Sequence, residues 1–396
     1  MLNHLPRIPL EEYPQRWAKV QKVLESEKLD MLLLYADDRH TYGTAYARYY
    51  GNLPVAFEPV LLLFTPGNDP VLLVGPETIG YASEVGTIRN IRVLKEFAAE
   101  NEDYPFTRLT PLKDVVTECV SHEIRRVGLG ALSLMGAEIY ETIRSSYPNA
   151  EFVKMDAVLE PMRGVKSPAE IEVIKYAYRL ANMGMEAAVN AVRPGITERE
   201  IAAEAEYVMR KNGAEGTGID TILVSGINAN HILGRTTTRV IQENDFVVIT
   251  LAPRYEGYHG ACARCVFVGK PDEKQLASVK AEIEAQNTCG SNLIPGRVGS
   301  EVEAMGRAVM TKAGYGENFL YSGLHSVGVI EFEPPILGPS SKTVIEENMV
   351  ISVDIPLFEA ADVFGSRTED GYLITKDGPV RLTTMDHLIF KNQNEK

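Results

Sequence analysis

Apolar residues recur at helical spacing over residues 12–27, which predicts an amphipathic helix, and the run MLLLY (31–35) after it predicts a short buried strand. In EPVLLLFTPGNDPVLLVG, two apolar runs flank Pro66-Gly67-Asn68-Asp69-Pro70, a strand–turn–strand signal. VGLG (127–130) and AEFVKM (150–155) read as strands on either side of a helix near 136–146. Short strands alternating with helices predict a mixed sheet covered by helices.

The pattern changes near Pro161. Ser167-Pro168-Ala169-Glu170 combines an N-cap serine, a first-turn proline and a glutamate at the third position, so a helix starts there and runs to Arg193-Pro194-Gly195. Thr197-Glu198-Arg199-Glu200 opens a second helix that stops at Asn212-Gly213, and a third covers about 272–293 before Pro295-Gly296. The sequence "helix, Pro-Gly, charged helix" occurs at 168–210 and again at 272–314, which suggests a duplicated unit. Strand-forming stretches follow each half: TILVSG and 246–269, then MVISVDIPLFE and GYLITKDGPVRLT. Two domains are expected, residues 1–160 and 161–396, in an α/β (α+β) chain.

Charge narrows the partners. Lys and Arg number 40 against 54 Asp and Glu, a net charge of -14, which disfavours nucleic acid and anionic membranes. Four cysteines in 396 residues are too few for a disulfide scaffold, and Cys262 and Cys265 lie on a predicted strand, where residues three apart face opposite sides. The opening residues show no apolar signal core, and no 18-residue apolar run occurs, so a cytoplasmic protein is expected.

Four segments carry the chemistry: Ser225-Gly226-Ile227-Asn228-Ala229-Asn230-His231; residues 246–269, with Tyr258 and Arg264; His325-Ser326-Val327-Gly328 with Glu333-Pro334-Pro335; and Gly365-Ser366-Arg367-Thr368-Glu369-Asp370-Gly371. Together with the helix opening Arg163, Lys166, Ser167 and Glu170, they resemble in order and spacing the pita-bread-fold family of methionine aminopeptidase, proline-specific aminopeptidase, prolidase and creatinase. The resemblance implies an N-terminal creatinase-like mixed-sheet domain and a C-terminal pita-bread catalytic domain. It also implies a homodimer in which the partner's N-terminal domain lies near the active site.

Peptidases of that family hold two divalent metals with two Asp, one His and two Glu. Aligned on the motifs, the Asp positions are Thr250 and Ala261 here, while the His position is His325 and the Glu positions are read as Glu333 and Glu369. A methyl group cannot coordinate, and a neutral hydroxyl is a poor ligand for a hard cation. The expectation is therefore an enzyme without metal or other cofactor, resembling creatinase, that hydrolyses a non-peptide C–N bond in a small guanidino, amidino or cyclic-amide substrate. His231 would be the general acid/base, and His325, Glu333 and Glu369 would bind and polarise substrate and water. Arg48, Tyr49 and Glu58 of the N-terminal part, with Tyr258, Arg264, Asp354 and Arg367, are the candidate substrate-binding residues. Structural ion pairs are the ordinary alternative for the two C-terminal arginines. Two other readings stay open: a peptidase acting on Xaa-Pro bonds with one metal, and a non-catalytic binding protein on a peptidase scaffold.

Overall fold

The computed structural model describes residues 5–99, 101–360 and 363–391. The chain divides into two compact units, one of residues 8–162 and the other of residues 5–7 and 163–391.

The first unit contains α1 (Glu12–Ser26), β1 (Met31–Ala36), α2 (Ala45–Gly51), β2 (Val60–Phe64), β3 (Val71–Val74) and α3 (Ile79–Val85). It continues through β4 (Asn90–Val93), α4 (Leu112–Cys119), β5 (Arg126–Gly130), α5 (Ala137–Ser146), β6 (Glu151–Lys154) and α6 (Asp156–Leu159). The strands form one mixed sheet in the order β4-β3-β2-β1-β5-β6. Every residue of β1, β2 and β3 is buried, as expected of short apolar runs covered on both faces.

The second unit opens with α7 (Pro168–Ala191) and α8 (Glu198–Lys211), each started by a complete capping box, Ser167 with Glu170 and Thr197 with Glu200. Strands β7 (Gly216–Thr217), β8 (Ile222–Ser225), β9 (Phe246–Leu251), β10 (Pro253–Tyr255), β11 (Tyr258–His259) and β12 (Cys262–Val268) follow. The second helix pair is α9 (Glu273–Ser291) and α10 (Gly299–Lys312). The last strands are β13 (Leu324–Ser326), β14 (Glu333–Ile336), β15 (Val350–Leu357), β16 (Ser366–Thr375), β17 (Gly378–Arg381) and β18 (Leu388–Lys391). The large sheet runs β14-β13-β15-β16-β12-β9-β8, with β17 on β16 and β18 on β12.

Alternation along β15 positions the site. Ile351, Val353, Ile355 and Leu357 pack with Ala285 and Cys289 of α9 and Val302 and Met310 of α10. Their neighbours Ser352 and Asp354 therefore point to the opposite face. Pairing carries that face across the sheet, because Asp354 opposes Glu369, Glu369 opposes Ala263, and Ala263 opposes Thr250. Among the described residues, no helix is long and apolar enough to cross a membrane.

Candidate metal centre

His325, Glu331 and Glu369, all buried, each offer one ligand atom, and these atoms lie within 4.8 Å of one another. Different constraints set Glu369 and His325. Glu369 stands on β16 beside Asp354, and its Oε1 accepts a hydrogen bond from the Ser352 hydroxyl at 2.7 Å. His325 lies on β13 opposite Ser352 and stacks on Phe332, with ring centroids 4.1 Å apart. Its Nδ1 is 3.1 Å from the Ser326 carbonyl oxygen, which can only accept, so Nδ1 carries the proton and Nε2 keeps its lone pair. That Nε2 faces Glu369 Oε1 at 3.9 Å.

Burial sets the protonation states. It pushes His325 down to about 4, so the imidazole is neutral at pH 7. Burial, together with the charges of Asp354 and Glu331, raises Glu369 well above the usual carboxylate range. Asp354 is likewise raised by burial, against the pull of Arg367. It is already engaged: its Oδ2 accepts from the Tyr321 hydroxyl at 2.5 Å, and its Oδ1 lies 3.4 Å from Arg367 Nε. Arg367 also donates to the Tyr321 hydroxyl at 2.8 Å.

A neutral imidazole with a free Nε2 and two carboxylates is a donor set for one divalent cation. The residues do not fit two ions. Thr250 and Ala261 stand where the resemblance puts two aspartates, and the buried Thr250 hydroxyl has no hydrogen-bond partner.

Several residues expected at the site are committed elsewhere. Glu333 lies in an ion triad, 2.8 Å from Lys166 Nζ and 3.1 Å from Arg163 Nε, with all three side chains buried. It takes no part in the converging donor set, and Glu331, two residues earlier, occupies that place. His231 is exposed on the loop after β8, outside the buried cluster, so an acid/base role there finds no partner in it. Tyr258 is buried and donates to the capping glutamate Glu170 at 2.9 Å.

Arg264 is buried and structural. It donates to Asp370 Oδ1 at 2.7 Å and to the carbonyls of Ala263, Glu369 and Met385. Asp370 also accepts from Gln286 and lies against Arg381 and His387. Burial alone would raise its carboxyl, but Arg264 and His387 hold it well below the usual range. Its stabilisation is therefore complete above the unfolded value of about 3.9 and is lost as pH falls through the folded value. The urea midpoint of the wild type is expected to drop between about pH 4 and pH 2, and Asp370→Asn should remove that part of the acid sensitivity.

In the first unit, Arg48 is buried in α2, and the guanidinium of Arg16 lies 4.1 Å from the ring centroid of Tyr49. Glu58 accepts from Thr78 N and the Thr78 hydroxyl, 2.8 and 2.7 Å away, so its carboxylate is spent on holding that turn. A Cβ at Gly75 would lie 2.2 Å from the Glu58 carboxyl carbon, so only glycine admits it there. Cys262 and Cys265 are buried free thiols, and burial pushes Cys262 up to about 12, which leaves it unreactive.

Comparison with known proteins places these observations in a family. Residues 172–376 match the description "Metallopeptidase family M24", and residues 16–165 match "Creatinase/Prolidase N-terminal domain". An Xaa-Pro dipeptidase of Pyrococcus horikoshii is 36% identical over 255 residues, covering 64% of this chain and 72% of that protein. One from Pyrococcus furiosus is 30% identical over 331 residues, covering 82% and 91%. The crystal structure of the prolidase from Pyrococcus horikoshii OT3 superposes with a TM-score of 0.81 at 27% identity, over 94% of this chain and 99% of that one. The mixed α/β architecture with a creatinase-like N-terminal domain and a pita-bread domain is thus that of the prolidase structures. The same relatives overturn the expectation of a metal-independent, creatinase-like amidinohydrolase. They are named for peptide substrates, and the matching family is one of metallopeptidases.

Proposed function

The chain belongs to the M24 metallopeptidase family, and on that premise we propose that it is a metal-dependent peptidase of Xaa-Pro dipeptides that uses one divalent cation, held by His325, Glu331 and Glu369. One observation carries the reading: three buried donors converge within 4.8 Å in a chain whose relatives are named Xaa-Pro dipeptidases. When bound, the cation would act as a Lewis acid on the scissile carbonyl and on water.

The chain's own residues prepare the place. The Ser326 carbonyl fixes the His325 tautomer, and the Ser352 hydroxyl orients Glu369. Arg367 and Tyr321 hold Asp354 beside Glu369, so its carboxylate is matched by a fixed cation. Burial of the whole cluster keeps bulk water from the donors.

Metal content per chain after supply of manganese, cobalt or zinc, read beside hydrolysis of Ala-Pro, tests this. About one equivalent with cleavage of Ala-Pro is expected. Two equivalents would refute the single-ion site. Less than roughly a tenth of an equivalent with no cleavage would leave a binding protein on a peptidase scaffold.

A further inference from the structure

Two buried imidazoles grip the segment that joins β13 to β14. His325 Nδ1 donates to the Ser326 carbonyl, and His259 of β11 holds the Gly328 carbonyl two residues further on. The backbone N and the Nδ1 of His259 each lie 3.0 Å from that one oxygen. A carbonyl oxygen only accepts, so Nδ1 carries the proton, and both lone pairs of the Gly328 oxygen are taken by a single residue. Burial pushes the His259 imidazole down to about 4, so the ring is neutral at pH 7.

The anchored carbonyl opens the turn that leads to Glu331. Gly328 N donates to the Ile330 carbonyl at 3.0 Å, which makes residues 328–330 a tight turn with Glu331 directly after it. Before the turn, Val327 N donates to the Val350 carbonyl at 3.1 Å and ties the segment to β15. After it, Glu333 is committed to Lys166 and Arg163.

The ring of His259 also lies beside Glu331. A Cβ on Gly218 would stand 2.3 Å from His259 Cδ2, 2.5 Å from its Nε2 and 3.3 Å from Glu331 Cβ. The imidazole edge and the stem of Glu331 therefore meet across a position where any larger residue would displace the ring. Nε2 has no hydrogen-bond partner, so this edge serves as packing surface.

We infer that His259 is a positioning residue for the metal centre, fixing the turn and the wall that set Glu331 toward His325 and Glu369. It acts through Glu331, and the inference rests on the single-ion reading proposed above. Partners behind a metal ligand set its orientation, and losing one costs about 10–100-fold in metal affinity. With a neutral ring, what His259 supplies is a donor at the Nδ1 place and not a charge. Asparagine keeps an N–H donor there. Glutamine moves its amide one carbon further out, toward the Nε2 end, and leucine has no donor at all.

Manganese titrated calorimetrically into the full-length protein reads the effect. His259→Leu and His259→Gln should each bind it about tenfold more weakly than wild type, and His259→Asn within about twofold of wild type. A cycle with Glu331→Gln separates positioning from general damage: once Glu331 no longer ligates, the His259 substitution should cost almost nothing further. If His259→Leu does not fold, the same cycle run with His259→Gln decides. Equal affinity of wild type and His259→Gln overturns the inference. So does an undiminished His259 effect in the Glu331→Gln background, or a folded His259→Asn as weak as His259→Gln. Those three outcomes leave the metal reading standing. Manganese affinity unchanged in Glu331→Gln overturns that reading, and the role of His259 with it.

Discussion

Glutamine in place of Glu333 is expected to cost about 3–5 kcal/mol of folding stability, a larger effect than any it has on substrate. Glu333 is the shared anion between Lys166 and Arg163, and all three side chains are at most 2% exposed. Lys166 also donates to the Arg163 carbonyl and to the Ser326 hydroxyl, so the ammonium is spent within the triad. Burial alone would raise the Glu333 carboxyl, but the charges of Lys166 and Arg163 outweigh it and keep the group ionised. Neutralising it removes the anion that Lys166 and Arg163 share. The ion triad needs Gly328, since a Cβ there would lie 2.2 Å from Glu333 Oε1. The measurement is the urea midpoint of Glu333→Gln against wild type, together with the double variant Lys166→Met/Glu333→Gln, which should recover part of the loss. A midpoint shift worth under about 1 kcal/mol, with turnover abolished, would return Glu333 to the reacting centre.

Local rules carried the helices. The two capping boxes begin α7 and α8 at the residues expected, because each rests on contacts three residues apart. The aromatic stretch around Arg48 is ambiguous by local pattern. Tyr46, Tyr49 and Tyr50 suit a half-buried strand edge by composition, yet they form one side of α2 at helical spacing, with Tyr50 fully buried. The stretch 246–269 looks like one long strand interrupted by turns. The structure breaks it at Ala252 and near Gly257 and Gly260, and β10 and β11 leave the large sheet for a separate three-stranded one in the order β11-β10-β7. Pairing partners far away in sequence decide that split, so no local pattern announces it.

The site divides in the same way. Loss of two carboxylates at Thr250 and Ala261 is legible from the motifs alone, and it is what favours one ion over two in the proposed centre. The choice between Glu331 and Glu333 is not. Both lie in the same short stretch, and what separates them is a pair of cations some 170 positions earlier in the chain. The signal was nevertheless present: Arg163 and Lys166, in the motif that opens α7, are two cations in need of an anion. A loop motif singles out His231, but motif order says nothing about whether a loop side chain turns inward, and this one is exposed.

Glu369→Gln is expected to weaken divalent-cation binding by at least roughly 100-fold and to lower the number of protons released on binding. Glu369 is buried beside Asp354 and Glu331, and burial with those charges raises its carboxyl well above the usual carboxylate range, so it keeps its proton to higher pH than an exposed carboxylate does. A cation can use the Glu369 oxygen only after that proton leaves. Affinity should therefore rise with pH, about tenfold per unit, until the folded value of Glu369 is passed. The stability sign is the reverse. A raised carboxyl contributes most below the unfolded value of about 4.3, and that contribution fades as pH climbs through the folded value. Metal-free protein should then weaken toward alkaline pH, and added cation should offset the loss. Calorimetric titration with manganese in two buffers of different ionisation enthalpy counts the protons released. Below the folded value of Glu369, wild type should release more protons on binding than Glu369→Gln does. Ser352→Ala removes only the hydroxyl that orients Glu369, and should cost about 10–100-fold in affinity with the proton still released. Equal manganese affinity in wild type and Glu369→Gln would place the ion elsewhere and end the case for a centre built on His325, Glu331 and Glu369.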